Sequence, residues 1–195
     1  MPLVSTFSAA SARALGFCSG LRAETTWNPA DKNANVTLSG GNLTATQTAA
    51  GVDGAARGTT SRSTGKWHFE VYVASSATGR PAMGVANSSQ ALNVSTGADS
   101  AVIFANGTPV IAGVSQPLVT PMTTPGYMAV EVDLDNSDIY FQFNGGSREG
   151  PYDISGISGP FFPFICVFNT GNSGVANFGQ SSFSVAVTSG YSPWG

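Results

Sequence analysis

Charge is what this chain lacks most. Only 10% of its 195 residues are Asp, Glu, Lys or Arg, against roughly 25% in an ordinary soluble domain. The eight Lys and Arg residues are scattered and leave a net charge of -3. Nucleic-acid binding needs basic side chains concentrated on one face to neutralise phosphates, so that class is excluded. His68 is the single histidine, and the two cysteines, Cys18 and Cys166, stand far apart without a CxxC pair. A zinc site fails on ligand count. Cys166 lies in the apolar run FFPFICVF and reads as a small buried hydrophobe.

Long apolar runs are missing as well. No segment approaches the roughly 18 apolar residues of a membrane-spanning helix. The start, MPLVSTFSAASARALGFCSG, reads as no signal peptide, because its apolar stretch is short, interrupted by Arg13 and preceded by no charged region. The expectation is a protein that stays soluble where it is made or leaves by another route, such as cell lysis. Neither G-x-S-x-G nor a Gly-rich loop ahead of a helix occurs, so nucleophile-elbow and phosphate-cradle chemistry have no support.

In place of charge the chain carries Gly, Ser, Thr, Asn and Ala, with 42% hydrophobic residues. This is enough for a core without disulfide staples, and the length fits one domain with a small appendage. The segment SAASARALGF, with Ser8 as N-cap and Gly16 as stop, predicts one or two helical turns. From residue 25 onward the pattern is β. VTLSG (36–40) and NLTATQTA (42–49) form a hairpin across Gly40-Gly41. In GKWHFEVYV (65–73), Trp67, Phe69, Val71 and Val73 fall on one face and His68, Glu70 and Tyr72 on the other. Segments 81–87, 101–113, 127–135, 139–146, 161–168 and 174–179 continue the series, and an Asn106-Gly107 turn splits one of them. Short strands divided by Gly, Asn and Pro turns are the mark of a β-sandwich or barrel. Loops are expected around 50–64, 75–80, 88–100, 113–126 and 146–160. Trp67, Phe69, Phe141, Phe143, Phe164 and Phe178 are the expected aromatic core.

The row VEVDLDNSDIYFQFNG (130–145) raises the question of chemistry. Glu131, Asp133 and Asp135 alternate and so share one face of a strand. Two catalytic or metal readings and one bland reading compete for them. Residues four apart on a strand are roughly 13 Å apart at the backbone, whereas a retaining glycosidase pair needs carboxyls about 5–5.5 Å apart. Asp133, Asp135, Asn136 and Asp138 offer oxygens for calcium, but without EF-hand spacing, and Asn and Asp are also the residues of tight turns. The bland reading is a hairpin with Met128, Val130, Val132 and Leu134 facing the core and the acids facing water. It is the preferred one, with His68 as a solvated residue of the same polar face and no metal.

The order of motifs resembles a SPRY domain. Gly65–Val71 match its GKWYFEV-like strand, Asp133–Gly145 its DLDxGxxxFxxNG-like hairpin, Phe162–Ile165 its FPAV-like strand, and Asn177–Phe183 its closing NFG and Phe. The hairpin departs from the pattern in lacking the glycine often found there. The resemblance implies an all-β fold: a two-sheet antiparallel β-sandwich, or concanavalin-like jelly roll, over residues 25–185. A short N-terminal docking segment (1–24) precedes it and a tail (186–195) follows. It also implies a binding domain without catalytic residues or cofactor. In retaining glucanases of similar fold, VEVDLD would supply Glu131 and Asp135 as the reacting pair, but Asp135 stands where a second Glu is needed. The subtype TWNPADKN…LSGGNLTAT…SGKWHFEV, after an FSAASARALGF-like start, is similar to SPRY-containing virion proteins of tailed bacteriophages. On that resemblance the chain is a tail, baseplate, fibre or decoration protein, made in the host cytoplasm and located in the virion. It would contact other virion proteins, further copies of itself, and a host-surface receptor or glycan, without nucleic acid and without membrane insertion. A cellular SPRY adaptor that recruits a peptide is the other open reading.

Contact residues follow from residue type. Tyr72, Arg80, Tyr140 and Tyr152 are the candidates for a binding surface, since exposed aromatics and Arg favour interfaces. Phe7, Leu15, Phe17, Trp27 and Trp194 are the candidates for anchoring the domain to neighbours, with edge-covering of its own sheets as the alternative for the two tryptophans.

Overall fold

The computed structural model describes residues 24–75 and 80–195. The expected helical turn and docking segment, with Phe7, Leu15, Phe17 and Cys18, lie outside the described residues, apart from Glu24. The described chain has strands and turns only. These are β1 (Trp27–Lys32), β2 (Val36–Ser39), β3 (Thr44–Gln47), β4 (Asp53–Gly58), β5 (Lys66–Val73), β6 (Ala82–Ala86), β7 (Ser100–Phe104) and β8 (Pro109–Ile111). They continue as β9 (Val114–Ser115), β10 (Gly126–Asp133), β11 (Asp138–Phe143), β12 (Arg148–Asp153), β13 (Phe162–Phe168), β14 (Ser173–Asn177) and β15 (Ser192–Pro193).

Two sheets face each other. The first runs β1-β4-β13-β6-β7-β8-β9 and the second β12-β11-β10-β5-β14-β3-β2. All their pairings are antiparallel, as expected of the sandwich. The exception is β15, which pairs in parallel with the start of β5 through Ser192 and Pro193 opposite Trp67 and His68. The hairpin of the acidic row forms as read, with Val130 opposite Phe141, Glu131 opposite Tyr140 and Asp133 opposite Asp138.

The alternation in β5, β10 and β11 fixes the main core. Phe69, Val71, Val73, Met128, Val130, Val132, Ile139 and Phe141 are buried between the sheets. Burial of each such side chain stabilises the fold by roughly 1.5–3 kcal/mol. Phe164 is also fully buried, but it belongs to a second, smaller cluster with Ala55, Ala82, Val102 and Cys166. Leu92 packs on this cluster and its carbonyl accepts the Ala55 N–H. Residues 87–99 therefore lie against the first sheet through buried Gln90 and Ser95, instead of standing free as the expected variable loop.

Three other expected loops contain strands, the one at 113–126 only the two-residue β9 ahead of β10. Asp53–Gly58 is β4, between β1 and β13 in the first sheet, and Arg148–Asp153 is the edge strand β12. Every residue of β4 after Asp53 is buried. A strand covered on both faces has no polar-apolar alternation to read, and its small residues GAARG resemble a turn.

Trp27 and Trp194, considered as outward anchors, are both fully buried. Trp27 meets Phe178 edge-on at 5.0 Å, and Trp194 meets Phe69 edge-on at 5.7 Å. The main chain holds Trp194 in place. Its N–H donates to the His68 carbonyl at 2.9 Å, its indole N–H donates to the Thr60 carbonyl at 2.9 Å, and its carbonyl accepts Arg62 Nη2 at 2.7 Å. Residues 186–195 are thus not a tail beyond the sandwich but its closing element. Replacing Trp194 with Ala should cost about 3–5 kcal/mol, the range for deleting a large buried aromatic, in urea unfolding followed by far-UV circular dichroism. A cost below about 1 kcal/mol, the level of an exposed position, would contradict this role.

Candidate functional site

Strand alternation places His68 and Glu70 of β5 on the same face as Glu131 and Asp133 of β10. The register sets His68 opposite Glu131 and Lys66 opposite Asp133. This face was expected to be wet. Instead His68, Glu70, Glu131 and Asp133 are all buried. The cause is the chain after Phe178, which crosses the outer face of the second sheet as a strap and ends in β15.

The acids hold this strap by its main chain. Glu70 accepts the N–H groups of Ser184 at 2.9 Å and Val185 at 3.0 Å, and the Asn177 side-chain amide at 3.2 Å. Glu131 accepts the Thr188 N–H at 2.8 Å, Arg148 Nε at 2.6 Å and His68 Nδ1 at 3.3 Å. An ionised carboxylate only accepts, so His68 carries a proton on Nδ1. Its Nε2 has no partner, and the ring packs edge-on against Phe183 at 4.5 Å. Arg148 lies 3.3 Å over the Tyr140 ring and donates to the Tyr191 hydroxyl at 2.9 Å. Asp133 accepts Lys66 Nζ at 2.6 Å and both nitrogens of Asn136, and Asp135 accepts the Gly65 N–H at 2.7 Å.

Burial alone would raise the Glu131 pKa. The bonds from His68, Thr188 and Arg148 outweigh it and hold the carboxyl down at about 2. Burial likewise pushes Asp133 up, and Lys66 and Asn136 pull it below its ordinary value. Both groups are therefore ionised and saturated. A general acid must carry a proton near the working pH, and a nucleophile must face open space. The hollow beside Glu131 and Arg148 has no room for a water-sized molecule. Among the described residues no three His, Cys, Asp or Glu side chains converge to hold a metal ion. Asp133 and Asp135, weighed as calcium ligands, are spent on Lys66, Asn136 and Gly65. Burial raises the Cys166 thiol far above its ordinary value, leaving an inert hydrophobe.

The four expected contact residues do not come together. Tyr72 packs beside Tyr127 at 5.2 Å on the outer face of the second sheet, and Tyr140 lies under Arg148. Arg80 is paired with Asp53 at 2.9 Å and sits over the Phe104 ring, on the first sheet's side. Tyr152 is half-buried and turned toward Phe141 at 5.9 Å. Sequence reasoning missed Arg148, Thr188 and Tyr191. They are isolated in the sequence: β12 brings Arg148 over Tyr140 to Glu131, and the crossing of the strap brings Thr188 and Tyr191.

A SPRY domain family model matches residues 66–181, more than half of the chain. The chain belongs to the SPRY domain family. Among solved structures it is similar to the SPRY domain of human HERC1, with 16% identity and a TM-score of 0.68, covering 80% of this chain and 99% of that one. It is also similar to the TRIM65 PSpry domain, with 12% identity and a TM-score of 0.62, covering 78% and 91%. No curated protein matches the sequence. At such identities the two structures speak for the fold, which is the expected two-sheet sandwich.

The low pKa of Glu131 makes stability depend on acid. The folded carboxyl sits at about 2 and the unfolded one near 4.5, so its contribution is complete above pH 4.5 and is lost as pH falls toward 2. That shift corresponds to about 3 kcal/mol at roughly 1.4 kcal/mol per unit. Asp133 acts in the same direction. Urea unfolding of a Glu131→Gln variant between pH 2.5 and 7 should show a clearly flatter acid dependence than the parent. Equal slopes would contradict the bonding assigned to Glu131.

Proposed function

We propose that this chain is a non-enzymatic binding protein of a tailed-bacteriophage particle, made in the host cytoplasm and residing in the virion as a tail, baseplate, fibre or decoration component. SPRY domains mediate protein–protein contact, and one observation carries the reading of this member as a binder. Its strand acids are consumed within the fold, Glu70 and Glu131 in fastening the strap and Asp133 and Asp135 on Lys66, Asn136 and Gly65, so the polar groups that looked most like chemistry serve rigidity. The particle setting is supported by the similarity of TWNPADKN…LSGGNLTAT…SGKWHFEV to phage virion proteins and by the low charge of the chain. In this role the sandwich is a stiff frame that meets other virion proteins, further copies of itself, and a host-surface receptor or glycan. Residues 1–24 attach it to the particle.

An antibody to the chain should find it in density-gradient fractions of purified particles, at a constant ratio to the other particle proteins. Chain confined to the soluble fractions would contradict the proposal and favour a cellular adaptor. A chain lacking residues 1–24 should keep its melting temperature within a few degrees and fail to join particles. Normal incorporation of that chain would refute the docking role of the segment.

A further inference from the structure

One side of the sandwich is closed by the short edge strand β9 of the first sheet and by β12 of the second, each with a β neighbour on one side only. The segment GVSQPLVTPMTTP (113–125) carries β9 and then runs on to β10 without a further strand. It is nonetheless tied to the first sheet's β7–β8 hairpin. The N–H groups of Gln116, Val119 and Met122 donate to the carbonyls of Pro109, Gly107 and Ala105 at 2.8, 2.9 and 2.9 Å. Met122 is buried and Val119 packs on the core. Backbone held at these points presents Leu118 at 72% exposure and Val114 at 63%. They are the two most exposed of the large hydrophobic side chains in the described residues, four positions apart on one pinned segment. Scattered exposed hydrophobes are normal, but a fixed apolar pair beside concave surface is the mark of a contact site.

Two clefts flank this segment. One, of about 370 Å³, is lined by Pro121, Phe143, Ser147 and Glu149 among others. The second, of about 480 Å³, is lined by Val114, Pro151, Tyr152 and Asp153 among others. Burial, and after it the charge of Glu149, pushes the Tyr152 hydroxyl pKa up. Each cleft has residues of the 114–123 stretch (Thr120, Pro121 and Thr123 in the first, Val114 and Gln116 in the second) facing residues of β12 (Glu149 in the first, residues 151–153 in the second), so the two lie along one edge. Glu149 and Asp153 are the only charged side chains lining either cleft, and neither takes part in an ion pair among the described residues. Arg148, the nearest cation in sequence, is spent on Glu131.

We propose that the β9–β12 edge, with Val114, Leu118 and Tyr152 as apolar contacts and Glu149 and Asp153 as anionic ones, binds an extended segment of a partner protein that alternates aliphatic side chains with Lys or Arg. The occupant is set by complementarity. A surface that exposes Val114 and Leu118 and whose clefts carry only negative charge favours a basic, apolar strand and repels an acidic one. The inference rests on the binding reading above and gives that contact a place and a chemistry.

The test uses the full chain, ¹⁵N-labelled, and a fluorescein-labelled peptide Leu-Lys-Val-Lys-Leu-Lys-Val, with a second peptide carrying Glu in place of Lys. Amide shifts should concentrate in residues 113–123 and 147–156. Fluorescence anisotropy should show the Lys peptide binding at least about tenfold tighter than the Glu peptide, and Leu118→Asp should lose about tenfold in affinity, the scale of a contact residue. Val175→Asp, an exposed position elsewhere, should bind as the parent does. An unchanged spectrum outside the edge confirms that each variant is folded. Shifts that fall elsewhere, absence of binding, or equal affinity for the two peptides would overturn the site. Those results would leave co-sedimentation with particles, which scores the particle reading, untouched.

Discussion

Glu70 and Glu131 are carboxylates that the sandwich has taken out of water, and the fate of the second sheet depends on how they are satisfied. A buried charge without partners costs several kcal/mol and would protonate or expose itself. Here half of the partners are main-chain N–H groups, those of residues 184, 185 and 188, with the Asn177 amide completing the shell of Glu70 and Arg148 and His68 that of Glu131. The strap and the acids therefore need each other. Without the strap the carboxylates lose half of their donors, and without the carboxylates three strap amides lose their acceptors. The same crossing delivers Trp194 to the core beside Phe69 and gives β5 its parallel neighbour β15.

The first sheet is covered by a related device. Arg57 on β4 is buried, paired with Asp31 at 2.7 Å, and donates to the carbonyls of Asn87 and Gln90 at 3.2 and 2.6 Å. In one sheet buried carboxylates collect main-chain donors, and in the other a buried guanidinium collects main-chain acceptors. Each draws a non-strand segment across an outer face. With both faces partly covered, the surface left for a partner shifts toward the rims and edges of the sandwich, where the segment 113–125 and the clefts beside it lie.

Much of this fold was legible in the sequence because alternation in β5, β10 and β11 is strong and the Asn and Gly turns between strands are conventional. The hairpin through Asp133–Asp138 and the core facing of Phe69 and Phe141 follow from those patterns, whereas the SPRY-like sandwich followed from the resemblance of the motifs at Gly65–Val71, Asp133–Gly145, Phe162–Ile165 and Asn177–Phe183. What was not legible shares one physical origin, namely coverage by segments distant in sequence. β4 has no alternation because it is buried on both faces. His68, Glu70, Glu131 and Asp133 look solvated because the period-2 rule assigns them to an outer face and says nothing of what crosses it. Trp194 looks like an exposed terminal anchor because nothing near it in sequence reports the hole beside Phe69. The acidic row resembles an active site for the same reason. Its spacing is visible from the sequence and its partners are not.

The central claim, that the strand acids clamp the strap's main chain, is tested most directly by native-state hydrogen exchange at the amides of Ser184, Val185 and Thr188. An amide bonded to a buried carboxylate opens only when the strap detaches. These three amides should be protected to about the level of the β5 amides in the parent protein. In a Glu70→Ala variant, Ser184 and Val185 should exchange at least about a hundredfold faster, a change equivalent to roughly 2.7 kcal/mol. Exchange at free-peptide rates in the parent, or protection unchanged in the variant, would contradict the claim.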